Sequence, residues 1–283
     1  MYPDLKDKVA IVTGAGRPRG LGEAIARKLA EDGVKLIIHD LGKTEGDMAP
    51  AHGVGASAEM AEVADGLRRI TPDISTFQAD MREEAEVAAL VSHAVERFGR
   101  LDILINNAGV GYLFGPLIEA TQERWDTVLN VNLRGAFFAM KHAARQMLKQ
   151  PLEEGWGRGR IVSIASRAAK SGSALTSSYV ASKHGLVGLT RSAAIELGPE
   201  QITVNAVCPN HVTTGLGAWQ NDFMARARGQ SVDEYLQAMR GRIPLGRVGE
   251  AEDTAYACAF LCSGQARYMT GEAMNVSGGE EMH

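Results

Sequence analysis

The chain has 283 residues, enough to bury a sizeable core in one large α/β domain or two small ones. Hydrophobic residues make up 45% and charged residues 23%, with 32 glycines, which excludes a disordered or fibrous chain and fits a globular enzyme. The net charge of −4 argues against nucleic acid or an anionic membrane as the main partner.

Three cysteines, Cys208, Cys258 and Cys262, supply neither a disulfide framework nor a Cys-x-x-Cys pair. No histidine cluster accompanies them, so no metal site is expected. Cys258 and Cys262 stand four apart in an apolar segment, the spacing of one buried helix face. The N-terminus lacks the apolar core of a signal peptide, and no run approaches the ~18–20 apolar residues of a membrane span. A soluble, cytoplasmic protein is expected.

Taken in order, Lys8–Thr13 is a β-branched run that reads as a buried strand. Gly14 to Gly22 forms a glycine-rich turn, and Glu23–Asp32 a helix closed by Gly33. Val34–His39 is a second strand ending in Asp40. Strand, glycine turn, helix, strand and acid in this order form a dinucleotide-binding βαβ unit. The glycines let the backbone approach a pyrophosphate, and the helix N-terminus offers free N–H groups. The polar loop Leu41–Gly55 is long for a compact domain and reads either as a flap at the adenosine end or as a surface insertion.

Further on, Ala56–Ile70 reads as a helix, Ile74–Ala79 as a strand ending in Asp80, Glu83–Phe98 as a helix, and Leu101–Asn106 as a strand. Gln122–Lys149 is a long helical region containing Asn132. Arg160–Ala165 is a strand followed by Ser166, and Ser178–Leu197 a helix stopped by Gly198-Pro199. Gln201–Val207 is a strand, Ser231 resembles a helix start, Glu250–Cys262 is a helix and Ala273–Val276 a last short strand. The regular alternation predicts one doubly wound (Rossmann-type) α/β domain over 1–283, with a mainly parallel sheet of about seven strands. In such sheets ligands sit at the strands' carboxyl ends, where Gly14, Asp40, Asp80, Asn107 and Ser166 all fall.

Tyr179 and Lys183 stand four apart on a helix and therefore share a face. Lowering a phenol from near pH 10 by about 2–3 units takes roughly 3–4 kcal/mol. One cation at ~4–5 Å supplies about that much at an effective dielectric near 20. Lys183 is therefore expected to make Tyr179 a usable proton acceptor and donor.

At this point the chain resembles a short-chain dehydrogenase/reductase over nearly its whole length. Thr13-Gly14…Gly20-Leu21-Gly22 resembles the family's TGxxxGxG, Asn106-Asn107-Ala108-Gly109 its NNAG, and Pro209–Thr214 its nicotinamide loop PGxxxT. Asn132, Ser166, Tyr179 and Lys183 match the family's catalytic set, with Ser166 thirteen residues before Tyr179. The resemblance implies hydride transfer between NAD and a secondary alcohol or ketone, with a homotetramer (or homodimer) built on the helices of 122–149 and 178–197. It assigns the cofactor to Gly14, Arg19, Gly20, Leu21, Gly22, Asp40, Asp80, Met81, Asn107, Ala108, Gly109, Tyr179, Lys183, Val212 and Thr214. It also implies that Ser166 holds the substrate oxygen and that Asn132 anchors a water linking Lys183 to solvent.

Three departures stand out. Five residues, rather than three, separate Gly14 from Gly20; Asn210 replaces a glycine; and the last strand ends Asn275-Val276-Ser277, where many members carry an aspartate before the glycine pair. Asparagine tolerates positive φ, so the turn at Asn210 is expected to survive. The Asn275 change is expected to affect packing or assembly.

Asp40 favours NAD over NADP by repelling a 2′-phosphate, whereas Arg17 and Arg19 pull the other way. The substrate pocket is expected to draw on Gly111–Phe114, Arg167 and His211. A lid at about 213–242 is expected to contribute Trp219, Phe223, Met224, Tyr235 and Met239. An apolar or cyclic secondary alcohol fits such a lining, with Arg167 or His211 available to a polar or acidic substituent. The competing readings are an NADP-dependent carbonyl reductase, such as a 3-oxoacyl-carrier-protein reductase, and a catalytically silent nucleotide-binding scaffold or sensor.

Overall fold

The computed structural model describes residues 1–42, 56–111 and 114–283, the side chains of residues 215 and 216 excepted. Most of the proposed 41–55 flap, as well as Tyr112 and Leu113 of the expected pocket, lies outside the described residues.

In chain order the elements are β1 (Val9–Thr13), α1 (Leu21–Glu31), β2 (Lys35–Asp40), α2 (Ser57–Arg68), β3 (Ile74–Gln78), α3 (Glu84–Phe98) and β4 (Ile103–Asn106). They continue with α4 (Gln122–Leu129), α5 (Ala136–Met147), β5 (Gly159–Ile164), α6 (Ser177–Leu197), β6 (Ile202–Pro209), α7 (Gly215–Ala227), α8 (Val232–Arg240), α9 (Ala251–Cys262) and β7 (Ala273–Val276). The strands form a seven-stranded sheet in the order β3-β2-β1-β4-β5-β6-β7, every pair parallel. This is the doubly wound α/β architecture expected from the alternation.

Period-two alternation sorts the strand side chains onto two faces. Ala10, Val12, Leu36, Ile38, Ile103 and Ile105 pack with α1, α2 and α9 in one core layer. Val9, Ile11, Ile37, Leu104 and Ile161 pack with α3, α5 and α6 in the other. Cys258 and Cys262 are both fully buried on α9 and unpaired.

The chain reverses its winding between β1 and β4, the switch point where a crevice opens at the carboxyl ends. Register aligns those ends: Thr13 lies beside His39, Asp40 beside Gln78, Asn106 beside Ser163 and Ile164 beside Val207. Residues one or two steps past each strand therefore converge on a single edge.

Two elements differ from expectation. The long helix of 122–149 is interrupted by a π-turn over Asn130–Gly135, which divides it into α4 and α5. A full helix, α7, stands in the lid segment before Ser231, a stretch to which the sequence reading assigns no element. Gly217 is there for closeness, since a Cβ on it would come within 2.1 Å of the Val212 carbonyl oxygen.

Candidate active site

A cavity of about 330 Å³ runs along the carboxyl edge. One end is the glycine turn. Gly14, at φ +65°, lies so close to the Ala108 backbone that a Cβ would come within 2.7 Å of Ala108 Cα. A Cβ on Gly22 would lie 2.4 Å from the Gly14 carbonyl oxygen. Gly14, Gly20, Leu21 and Gly22 all line the cavity at the N-terminus of α1. A bare backbone at a helix N-terminus is what a pyrophosphate requires. The two extra residues bulge outward, with Arg19 at φ +57°. Arg17 lines the cavity and Arg19 does not; the Arg19 N–H instead donates to the Glu23 carboxylate.

Asp40 sits at the cavity wall, its two oxygens accepting from Gly16 N–H and Leu41 N–H, both at 2.9 Å. It thereby braces the turn as well as presenting charge. Beside it His39, unremarked in the sequence, is fully buried with Nε2 2.9 Å from the Ala79 carbonyl oxygen. Asp80 lines the cavity with Met81 and is clasped by Arg82, whose Nη2 lies 2.6 Å from Oδ2.

The Asn107-Ala108-Gly109 stretch is locked to β1. Thr13 Oγ1 accepts from Asn107 N–H and Ala108 N–H, both at 3.0 Å, and the Asn107 amide donates to the carbonyls of Thr13 and Gly14 at 2.9 Å. The Asn107 side chain thus holds the wall together. All three residues line the cavity.

Asn132 is 1% exposed and lies off the cavity wall. Its Oδ1 accepts from Val110 N–H at 2.7 Å, and its Nδ2 donates to the Val110 carbonyl and to Ser182 Oγ. The side chain clasps the segment after β4 against α6, so the expected water anchor finds its amide already engaged. Gly109 brings Asn132 and Lys183 together, a Cβ on it lying 3.2 Å from Asn132 Oδ1 and 3.6 Å from Lys183 Nζ.

Ser166, Tyr179 and Lys183 all line the cavity. Ser166 Oγ accepts from Ala168 N–H at 3.1 Å, capping a short turn, and Ser166 lines the same wall as Tyr179. Phe114 packs edge-on to Tyr179 at 6.2 Å between centroids. Lys183 Nζ donates to the Ile164 carbonyl at 2.7 Å and sits 5.6 Å from the Tyr179 ring centroid.

The expected lowering of the phenol is reversed. Burial pushes the Tyr179 phenol up, opposed by the Ser166 hydroxyl. Burial also brings the Lys183 ammonium down to about 8. Loss of hydration penalises both charged forms, and the ammonium's nearest partner is a carbonyl rather than the phenol oxygen.

Val212 and Thr214 line the cavity beyond β6, with Val212 bridged to Gly249. Asn210 does not adopt positive φ, contrary to expectation, so this turn needs no glycine geometry. Its N–H donates to the Val276 carbonyl at 3.0 Å, while its side-chain Nδ2 is buried on the cavity wall without a partner. That donor, with the glycine cradle, fits a dinucleotide. Asn275, at the third departure, donates to the backbone carbonyls of Glu281 and His283 and so ties down the C-terminal tail.

At the far end Met224, Tyr235 and Met239 line the cavity from α7 and α8, together with Arg167 and His211. Trp219 does not reach the wall; it stacks on Phe223 at 5.5 Å and packs against Phe114, backing the ring that touches Tyr179. His211 is 9% exposed, its Nε2 has no hydrogen-bond partner, and burial lowers its pKa to about 4. Arg228, Arg242 and Glu280 also line this end. Local pattern carried no signal for them, because they come from separate segments 14 or more residues apart.

The family profile described as "Enoyl-(Acyl carrier protein) reductase" matches residues 14–281. A short-chain dehydrogenase/reductase of Armillaria gallica is 38% identical over 272 residues, covering 96% of this chain and 95% of the relative. A 3-oxoacyl-[acyl-carrier-protein] reductase of Staphylococcus aureus is 35% identical over 276 residues, covering 97% and 98%. The crystal structure of carveol dehydrogenase from Mycobacterium avium in complex with NAD superposes with a TM-score of 0.87 at 32% identity, covering 98% of this chain and 99% of that one. With its sequence and its parallel-sheet fold matched along nearly their whole length, the chain belongs to the short-chain dehydrogenase/reductase family of oxidoreductases.

Proposed function

We propose that the protein interconverts a secondary alcohol and a ketone with NAD, Tyr179 moving the proton. The observation that carries this reading is partly buried Tyr179, buried Lys183 and Ser166 together on the wall of the edge cavity. A nicotinamide bound there supplies the hydride acceptor or donor. Ser166 holds the substrate oxygen in line with Tyr179. In the reducing direction Tyr179 gives its phenolic proton to that oxygen, and a phenol kept protonated by burial suits this role. In the oxidising direction Tyr179 first has to lose its proton, so that direction gains with rising pH. Lys183 supplies positive charge beside the phenol and a donor for a ribose hydroxyl. Gly14, Gly20 and Gly22 would cradle the pyrophosphate, Asp40 would take the adenosine ribose, and Asp80 and Met81 would border the adenine. Arg19, off the wall, drops out of this set, and Arg17 takes its place.

Asp40 supports NAD over NADP; Arg17 on the wall favours the reverse. The similarity to carveol dehydrogenase solved with NAD supports the first, and the S. aureus relative keeps a 3-oxoacyl-carrier-protein reductase as the second reading. The stretch 213–242, now α7 and α8, serves as the substrate lid. Phe137, Leu148 and Ile195 are exposed on α5 and α6 and near their ends, which supports assembly into a homotetramer or homodimer through these helices. Among the described residues no helix is long and apolar enough to cross a membrane.

A panel of secondary alcohols and ketones, run with NAD and NADP and followed by nicotinamide absorbance, tests the reading. Turnover with NAD that Tyr179→Phe abolishes supports it. A preference for NADP with 3-oxoacyl thioesters favours the second reading, and no turnover with either cofactor leaves only a nucleotide-binding scaffold.

A further inference from the structure

The far end of the cavity has no part in moving hydride or proton, yet three segments bring guanidiniums to it. Arg167 directly follows Ser166, Arg228 ends α7, and Arg242 follows α8. Glu280 joins them from the turn after β7, a turn held by Ser277 Oγ donating to the Glu281 carbonyl at 3.0 Å. All four line the cavity. The Glu280 side chain, 14% exposed, pairs with Arg242 at 3.4 Å and more loosely with Arg167 at 3.9 Å. Arg228 lies 5.2 Å from the Tyr235 ring centroid and makes no ion pair among the described residues. Three guanidiniums against one carboxylate leave this end net positive.

Half-exposed arginines are ordinarily a solvated surface, but two observations set these apart. They gather around Tyr235, which is 4% exposed, so its phenol lies in the field of Arg228, Arg242 and Arg167 together. The nearly buried ring of His211, with its unpartnered Nε2, lines the same cavity. A guanidinium fork matches the planar oxygens of a carboxylate. Met224 and Met239 contribute apolar lining to the same cavity.

We propose that this end is an anion subsite and that the substrate is a ketone or secondary alcohol with an apolar body and a carboxylate, held by Arg228 and Arg242. Arg167 and Glu280 are positioning residues that fix the fork. The substrate class rests on the carbonyl–alcohol reading above; the subsite itself does not. A phosphate ester shares the chemistry, and the experiment separates the two.

The test uses the full chain with 3-oxocyclohexanecarboxylate, its methyl ester and inorganic phosphate. Binding is read by calorimetry without cofactor, and kcat/KM with NADH. The acid should bind, and turn over, at least about tenfold better than the ester, the worth of one charge-assisted hydrogen bond. Arg242→Gln and Arg228→Gln should each lower the acid-to-ester ratio about tenfold, and Arg242→Lys should keep part of it. A ratio near one, absence of acid binding, or a ratio unmoved in both glutamine variants would overturn the subsite. Tighter binding of phosphate than of the acid would overturn the carboxylate assignment. Acid-selective binding without turnover of any ketone or alcohol would sink the parent reading and leave the subsite standing.

Discussion

The two ends of the cavity are built on different principles. At the sheet edge several of the wall's groups are pinned by backbone: Thr13 and Asn107 tie β1 to β4, Asp40 holds two N–H groups at 2.9 Å, and Lys183 holds the Ile164 carbonyl at 2.7 Å. At the far end the groups sit on α7, α8 and the C-terminal turn, half-exposed, with ion pairs at 3.4 and 3.9 Å. Proton transfer demands sub-ångström placement, which parallel strands sharing one register supply. Substrate choice tolerates softer support, and long side chains on short helices give a family room to vary its substrate without disturbing the reaction.

The largest effect should come from the edge. Tyr179→Phe keeps the ring against Phe114 and removes only the proton carrier, so turnover should fall by about 10²–10⁴ with nucleotide affinity nearly unchanged. Comparable turnover in that variant would show that the pinned edge is not where the proton moves. Next, Asp40→Asn removes a repulsion that reaches ~4 kcal/mol per unit charge at 4 Å and a dielectric near 20. The NADP-to-NAD ratio of kcat/KM should rise at least about tenfold, while absolute efficiency falls because the carboxylate also braces Gly16 and Leu41.

A pair of alanines compares the ends directly. Gly22→Ala and Gly217→Ala each drive a methyl into a backbone carbonyl, at 2.4 and 2.1 Å, and each should cost about 1–3 kcal/mol of stability. Urea unfolding reads that loss. Gly22→Ala should in addition weaken nucleotide binding, whereas Gly217→Ala should raise KM for ketones; equal effects on both constants would erase the distinction between the ends.

The smallest effect concerns pH. Burial lowers His211 to about 4 from an ordinary 6.5, so the unfolded chain binds the proton more readily than the folded one. Stability from this group is present above pH 6.5 and is lost as pH falls toward 4, about 2 kcal/mol by pH 5. His211→Asn should flatten that part of the pH profile of urea unfolding. An unchanged slope between pH 7 and 5 would mean that the ring is hydrated in solution.

Much of the edge was legible from local pattern. The strands announced themselves as β-branched runs, the helices as apolar periodicity, and the glycine turn by its spacing; together they fixed the sheet edge on which Gly14, Asp40, Asp80, Asn107, Ser166 and Tyr179 meet. Reading single residues within that edge was less secure. Asn132 has the right place in the chain, but its amide is engaged by Val110 and Ser182; Arg17 lines the wall that Arg19 was expected to reach; and Trp219 stands behind Phe114. The far end was the least legible. Arg167 and His211 are the polar groups the sequence reading singles out there, and it assigns no helix to the stretch that forms α7.

The chain's own order of residues thus determines the elements, the parallel topology and the edge on which the candidate site lies, because backbone geometry is set by near neighbours and repeats with a short period. Tertiary structure alone decides what each side chain experiences there. Desolvation reverses the expected shift of Tyr179 and brings Lys183 to about 8, and Arg167 and Arg242 from separate segments pair with Glu280 while Arg228 lies against the Tyr235 ring. Dielectric, burial and field are sums over neighbours in space, and no window along the chain contains them.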